Sequence, residues 1–486
     1  MVVNISPPPP ILPLILQRRS TDEYMPLPYT ALDRRVIAQV RAQGPVCATR
    51  LGLSLGEYWS SRQGTAAALR ALDDAWGGGF YPVPREATLD RAAADAALGG
   101  DQLVIDVQTH YVSDRRIARE ETAKVILGLG ESVAGALFQG LDTLVRTQNQ
   151  AGYSLAEYLR CVFLQSDTAV AVLSSGPGAE GQDPRRILTN AEMVGTRELI
   201  DRLHGTGRLI NHAVVHPNIP GDLARMDRWS TGCVPAGWKV YTMYGAAGAG
   251  PMRWQDKSWM LDDAEAGQPF LRRAMETGVR NVCVHKGISA GAATGWDGPS
   301  SPRDIGPAAK AFPDLNFLVY HSGYEPREGN QEEGPYTAEV AHIGTNRLLK
   351  SLQDAGLGPH DNVYAELGTT WYLLMAHPHE AAHVLGKLLS ALGEDNLLWG
   401  TDSIWYGSPQ PLIDAFRAFQ IPEAYSQRYG YPQLTPTAKE KILGLNAARL
   451  YGLDPEQVRA AARHDDLAWV KAALEEYHAR GTPAIG

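Results

Sequence analysis

Eight short apolar, β-branched runs alternate with helical stretches between Leu103 and Asp402, and this alternation constrains the fold more than any other feature. The strand candidates are Leu103–Tyr111, Cys161–Leu173, Leu209–His216, Trp238–Tyr244, Asn281–Gly287, Asn316–Gly323, Asn362–Gly368 and Asn396–Asp402. Between them lie helical patterns such as Ala191–His204, Pro269–Thr277, Gly344–Ala355 and Glu380–Leu392. Strand-helix alternation predicts a parallel sheet with right-handed crossovers, and eight units predict a closed (β/α)8 TIM barrel. A doubly wound open sheet is the alternative. No GxGxxG follows the first run, which weakens a dinucleotide-binding version.

A barrel of this kind takes roughly 250 residues, so a chain of 486 has long flanks. Residues 1–101 are expected to form an N-terminal arm, proline-rich at Pro7–Pro10 and helical over Leu32–Gln43 and Ser54–Trp76. The glycines after Trp76 break that pattern. The arm suits packing on the barrel or on another subunit, with a lid over the site as the alternative. Residues 102–453 are expected to hold the barrel, closed by a helix with Thr435 as N-cap, Pro436 first and Gly452 as its stop. Residues 454–486 read as a charged helical tail.

The net charge of −9 argues against nucleic acid or an anionic membrane as the main partner. Four cysteines without a CxxC pair suit a reducing compartment. The apolar run Ile11–Leu16 is too short to span a bilayer, and the polar Ser20–Tyr24 after Arg18-Arg19 is not a signal sequence. A cytoplasmic protein is expected, with a small-molecule substrate.

Active residues of such barrels occupy the C-terminal ends of the strands. Gln108 and His110 end the first strand and, two apart, share a face. His285 ends the fifth, His321 the sixth and Asp402 the eighth. Imidazoles, a carboxylate and an amide converging on one mouth make a plausible metal-binding set. No GxSxG and no recognisable Cys/His spacing point to a serine or cysteine nucleophile.

The motifs Ile105-Asp-Val-Gln-Thr-His110, Val215-His-Pro217, Val284-His285, Phe312–Phe317 leading to His321-Ser-Gly, Gly400-Thr-Asp402 and Lys441–Arg449 together resemble the amidohydrolase superfamily, in the branch that includes aminocarboxymuconate-semialdehyde decarboxylase. The resemblance implies that Gln108, His110, His285 and Asp402 stand at metal-ligand positions. It implies that His321 binds a second metal or acts as acid/base. Gln108 departs from the family pattern, which has a histidine there. An amide oxygen is a weaker, harder donor, so the site either ligates through it or recruits other groups.

Lys239 and Tyr241 share a face of the fourth strand, and Glu366 ends the seventh. In two-metal relatives a strand-four lysine can be carbamylated and bridge the ions, so the resemblance allows Lys239 that role, or Tyr241 a place as ligand. An ion pair for Lys239 and packing for Tyr241 are the alternatives. Glu366 suits a ligand, a base or a partner to a ligating histidine.

The chain is also similar to dinuclear oxygenases of this fold, such as aminoisobutyrate hydroxylase, in length, in its arm and in its altered strand-one motif. The leading expectation is therefore an O2-dependent hydroxylase of a small organic acid or amine, with two Fe or Mn ions. Catalysis would involve His321, Glu366 and Lys239, and metal binding Gln108, His110, Tyr241, His285, His321 and Asp402. The alternative is a hydrolase or non-oxidative decarboxylase with one divalent ion, zinc included, or a partner subunit of such an enzyme. A homo-oligomer or a hetero-oligomer with a related subunit is expected.

Other groups have plainer expectations. Asp106 is expected to be a structural hydrogen-bonding group, and His377, His379 and His383 a solvated loop and helix start. His212 suits the core, and His216 lies nearer the mouth. Trp371, Trp405 and Tyr406 either wall the pocket or pack in loops.

Overall fold

The computed structural model describes residues 12–19, 28–113, 153–178, 186–204, 207–243, 258–288, 298–326 and 333–480. The prolines 7–10, Ser20–Tyr24 and Tyr244 lie outside these residues.

Among the described residues nine short parallel strands form the inner wall: β1 (Val104–Thr109), β2 (Thr168–Leu173), β3 (Leu209–Asn211), β4 (Ala213–Val214), β5 (Trp238–Tyr241), β6 (Asn281–His285), β7 (Asn316–Tyr320), β8 (Val363–Glu366) and β9 (Leu397–Leu398). They pair in the orders β1-β2-β3 and β4 through β9. Two seams join these sheets into one barrel. The third predicted strand is interrupted at His212, so β3 and β4 are its halves. On the other side Val107 N donates to Trp399 O at 3.0 Å, Asp402 N donates to Gln108 O at 2.8 Å, and Thr109 bridges Ser403. This is the (β/α)8 barrel that the sequence predicts, and the open-sheet alternative is set aside.

The strands are shorter than their apolar runs. Cys161–Leu164 belongs to a π-helical turn, Arg160–Leu164, that ends the preceding helix. His321–Gly323 leaves β7 in a tight 3-10 turn. Cys161, Val162 and Phe163 are apolar because the turn is buried, and burial alone does not separate a strand from a buried turn.

The arm packs on the barrel. Thr30 and Ser54 each open a helix with a reciprocal capping box, to Asp33 and Glu57. Gly52 stops the first helix, Ala31–Leu51, in the left-handed conformation (φ 68°). Leu14, Ile15 and Leu16 are buried. Tyr81 donates its hydroxyl to Met375 O at 2.7 Å, and Arg62 reaches Asp95, Asp167 and Asp414.

At the other end Thr435 caps its helix as expected, with Pro436 at its start and Gly452 left-handed beyond its end. A π turn, Lys441–Leu445, interrupts it. Ile442 O accepts from Trp399 N, and the Asn446 amide donates to Leu397 O, so this helix grips β9. Helices Pro455–His464 and Asp466–Arg480 follow. Among the described residues no helix is long and apolar enough to cross a membrane.

Candidate metal centre

The ends of β1, β6, β7 and β9 bring Gln108, His110, His285, His321 and Asp402 to one buried site, and none of them is more than 2% exposed. Asp402 is its hub. Its Oδ1 accepts from Nε2 of Gln108 at 3.0 Å and lies 3.0 Å from Nε2 of His110. Its Oδ2 accepts from the Thr369 hydroxyl at 2.5 Å. Thr369 has one proton and gives it to the carboxylate, so the Tyr406 hydroxyl, 2.6 Å away, donates to Thr369.

Beside this hub the two other histidines form a pair. His321 Nδ1 lies 2.7 Å from Gly368 O, and His321 Nε2 lies 3.1 Å from His285 Nδ1. A carbonyl only accepts, so Nδ1 of His321 carries a proton. In the neutral ring Nε2 then holds the lone pair and accepts from His285 Nδ1–H. His285 is left with its lone pair on Nε2, the form that binds metal.

Glu366 fixes this geometry from below. Its Oε2 accepts from His321 N at 3.0 Å and its Oε1 from Gly368 N at 2.5 Å. Burial pushes its carboxyl up to about 7, against the opposing pull of His321 and of these two backbone groups. Gly400 and Gly368 leave room for it. A Cβ at Gly400 would lie 1.8 Å from Glu366 Oε1, and one at Gly368 would lie 2.2 Å from Gln108 Oε1. Asp106 accepts from the Thr401 hydroxyl and backbone and from Gln108 N, which ties β1 to the segment after β9. That is the structural hydrogen-bonding role expected of it, and burial raises its carboxyl to about 7.

His321, Ser322, Thr369 and Asp402 all hold positive φ, between 53° and 65°. Left-handed backbone costs a non-glycine residue on the order of 1–3 kcal/mol and gathers at functional sites. Three of these four carry the hydrogen bonds just described.

The remaining predicted site residues turn elsewhere. Tyr241 stacks on His285 at 5.3 Å but gives its hydroxyl to Ser175 O at 2.8 Å. The ammonium of Lys239 lies 3.7 Å from the centre of the Tyr320 ring and 4.8 Å from that of Tyr241. His212 is buried, with Cys283 Sγ 3.4 Å from its Nε2. His216 Nε2 accepts from Gly178 N at 3.1 Å.

Trp405 stacks on His110 at 5.9 Å, whereas Trp371 packs between Phe416 and Phe419. His377, His379 and His383 are not a solvated run. They pack against Trp76, Phe80 and the tyrosines 425, 429 and 431, because the arm and the helix Glu423–Tyr429 cover this side. Sequence reasoning missed Thr369, whose role depends on a left-handed backbone that no local pattern announces.

The donor chemistry suits a divalent cation: imidazoles, a carboxylate and an amide oxygen. Gln108 Oε1 is buried without a hydrogen-bond partner, a costly state for a polar atom that a cation would relieve. Among the described residues no three His, Cys, Asp or Glu side chains stand as a ready ligand cage. His110 and Asp402 instead hold one another, as do His285 and His321, so a bound ion would replace the contact between His110 and Asp402.

Residues 105–453 match the family described as Amidohydrolase, amidohydrolase family 2. The chain belongs to this family. The match spans every strand of the barrel after Val104 and the helix that ends at Tyr451. No curated protein matches the sequence of this amidohydrolase.

Solved structures with some likeness include an uncharacterised TIM-barrel protein from Bordetella bronchiseptica, with 15% identity, 73% of this chain and 99% of that chain covered, and a TM-score of 0.41. A 5-carboxyvanillate decarboxylase from Novosphingobium aromaticivorans, complexed with manganese and 4-hydroxy-3-methoxy-5-nitrobenzoic acid, shows 15% identity, 72% and 96% coverage and a TM-score of 0.42. A 4-oxalomesaconate hydratase from Rhodopseudomonas palustris shows 13% identity, 77% and 100% coverage and a TM-score of 0.38. Likeness of this degree carries no conclusion about substrate.

Proposed function

We propose that this amidohydrolase uses a single divalent metal ion to carry out hydrolysis or non-oxidative decarboxylation of a small organic acid. The observation that carries the reading is the convergence of Gln108 and His110 on Oδ1 of Asp402, beside the His285–His321 pair. His110, His285 and Asp402 would hold the ion, with the Gln108 amide oxygen as a further donor. When bound, the ion supplies Lewis acidity to an oxygen that gains negative charge.

His321 is the group placed to move a proton. Its Nδ1–H is committed to Gly368 O, so Nε2, which accepts from His285 Nδ1–H, is the atom that would take up and return the proton. Glu366 positions His321 through the backbone rather than touching the reacting atoms.

One ion is favoured over two by where the spare oxygen and nitrogen donors point. A second ion would need Tyr241 or Lys239, and these groups are engaged with Ser175 and with two aromatic rings. The O2-dependent dinuclear hydroxylase suggested by the altered strand-one motif therefore gives way to the mononuclear reading. Metal analysis of the purified chain should find about one divalent ion per chain, and turnover should be equal with and without air. Two iron or manganese ions per chain together with oxygen consumption would overturn the reading and restore the hydroxylase.

A further inference from the structure

A polar cavity lies at the N-terminal end of the barrel, opposite the metal centre. It is a cleft of about 240 Å³ between the starts of β1 and β2, Arg208 just before β3, and the helices Pro455–His464 and Asp466–Arg480. Five cations line it: Arg208, Arg417, Arg459, Arg463 and Lys471. Among the described residues two carboxylates do so, Asp101 and Asp167. Such an excess is unusual in a chain whose net charge is −9.

Part of that positive charge is answered locally. Asp465 takes both hydrogen bonds from Arg208 Nη1, and Glu440 takes Arg459 Nη2. Asp167 accepts from Arg417 Nη1 at 2.6 Å and lies 3.7 Å from Lys471 Nζ, which donates to Ser166 O.

Two guanidinium groups keep donors that these acids do not answer. Arg463 is exposed on the rim and pairs with no acid among the described residues. Arg417 is the more telling. Its side chain is only 4% exposed, its Nε donates to Gln102 Oε1, and its buried Nη2 has no hydrogen-bond partner. A buried, charged donor without an acceptor is expensive, which points to an acceptor the cleft is built to receive. A guanidinium fork matches the paired oxygens of phosphate or carboxylate.

We propose that this cleft binds a small multivalent oxyanion, a phosphate compound or a polycarboxylate, at a site separate from the metal centre. Arg417 is the buried anchor in the cleft wall, and Arg463 and Lys471 flank the anion from the tail helices. The tail is thereby tied to the barrel floor, so the anion stabilises the folded chain by mass action.

The test is calorimetric titration and thermal unfolding of the full chain with inorganic phosphate, pyrophosphate and citrate, using chloride at matched ionic strength as control. Saturable binding and a concentration-dependent rise in Tm are expected with at least one of them. Strongest response to pyrophosphate identifies a phosphate compound, and strongest response to citrate a polycarboxylate. Arg463→Glu should weaken binding about tenfold or more, as expected for the loss of a charge-assisted hydrogen bond, with the Tm unchanged when no anion is present.

Arg417→Gln should abolish binding. Because it also removes the Asp167 contact, the exposed Arg463→Glu keeps the idea testable if Arg417→Gln does not fold. No saturable binding, or binding that Arg463→Glu leaves untouched, overturns the site. Neither result bears on the metal content of the barrel mouth.

Discussion

The side-chain amide of Gln108 donates to Oδ1 of Asp402 at 3.0 Å, across the seam where β1 meets the end of the barrel. The bond fixes which way the amide faces and leaves its oxygen inside the site. The side chain therefore offers an oxygen to the site and clamps the carboxylate. Gln108→Leu removes both at nearly the same volume. Metal affinity should fall about 10- to 100-fold, the usual effect of losing a ligand's orienting partner, as measured by titration against a competing chelator.

Asp402→Ala and His110→Ala should each abolish stoichiometric metal binding while far-UV circular dichroism stays native. Near-normal metal content in either variant would show that the ion binds elsewhere.

Tyr241→Phe should retain metal content and most of its turnover, because the lost hydroxyl serves the Ser175 carbonyl. That bond is worth about 0.5–1.5 kcal/mol of stability. A fall from two metal ions to one in this variant would support the dinuclear reading instead.

Gly400→Ala should damage the site from behind. The new methyl would lie 1.8 Å from Glu366 Oε1 and 3.3 Å from Gln108 Cβ. Displacing Glu366 releases the backbone of His321, so activity should drop more than tenfold, with about 1–3 kcal/mol of stability lost to overpacking. Gly195→Ala, in the helix Asn190–His204 with nothing within 4 Å of the new methyl, is the control and should be neutral or stabilising. Equal activity losses in the two variants would contradict the account.

The seating of the arm should be sensitive to acid. Burial holds His377 down to about 4, and Nη2 of Arg18 lies 3.4 Å from its Nε2, which a second proton would turn into a contact between cations. Burial likewise lowers His383 to about 4, with Lys387 adding to the effect. Both values lie below that of the unfolded chain, so this stability is complete above about 6.5 and is lost as pH falls toward 4. Tm measured across that window should decline, and the decline should be shallower in His377→Gln. A parallel profile for the variant would remove His377 from the explanation.

Much of this architecture was readable because barrels announce themselves by period. Runs such as Asn281–Gly287 and Asn316–Gly323 located β6 and β7, and the residues that end them, His285 and His321, did come together with Gln108, His110 and Asp402. The motif positions worked because the face of a strand depends on counting by two. What the sequence hid is non-periodic. The turn at Arg160–Leu164 looks like a strand because both are apolar when buried. The cover over His377 and His379 comes from an arm hundreds of residues away, and that over His383 from the tyrosines 425, 429 and 431. Tyr241 and Lys239 showed the right face, but a face does not say which neighbour a side chain meets.

The arm has one more consequence. Arg19 donates from its guanidinium to Tyr406 O at 2.9 Å and from its backbone to the Tyr372 hydroxyl at 3.0 Å. Tyr372 lies flat on Tyr406 at 3.7 Å. Tyr406 then leads through Thr369 to Asp402. A chain trimmed to its family-matching portion would keep every candidate ligand and all of the strands but Val104, yet its carboxylate would hang from an unbraced tyrosine. Anyone expressing this protein as a minimal barrel should expect a slack centre.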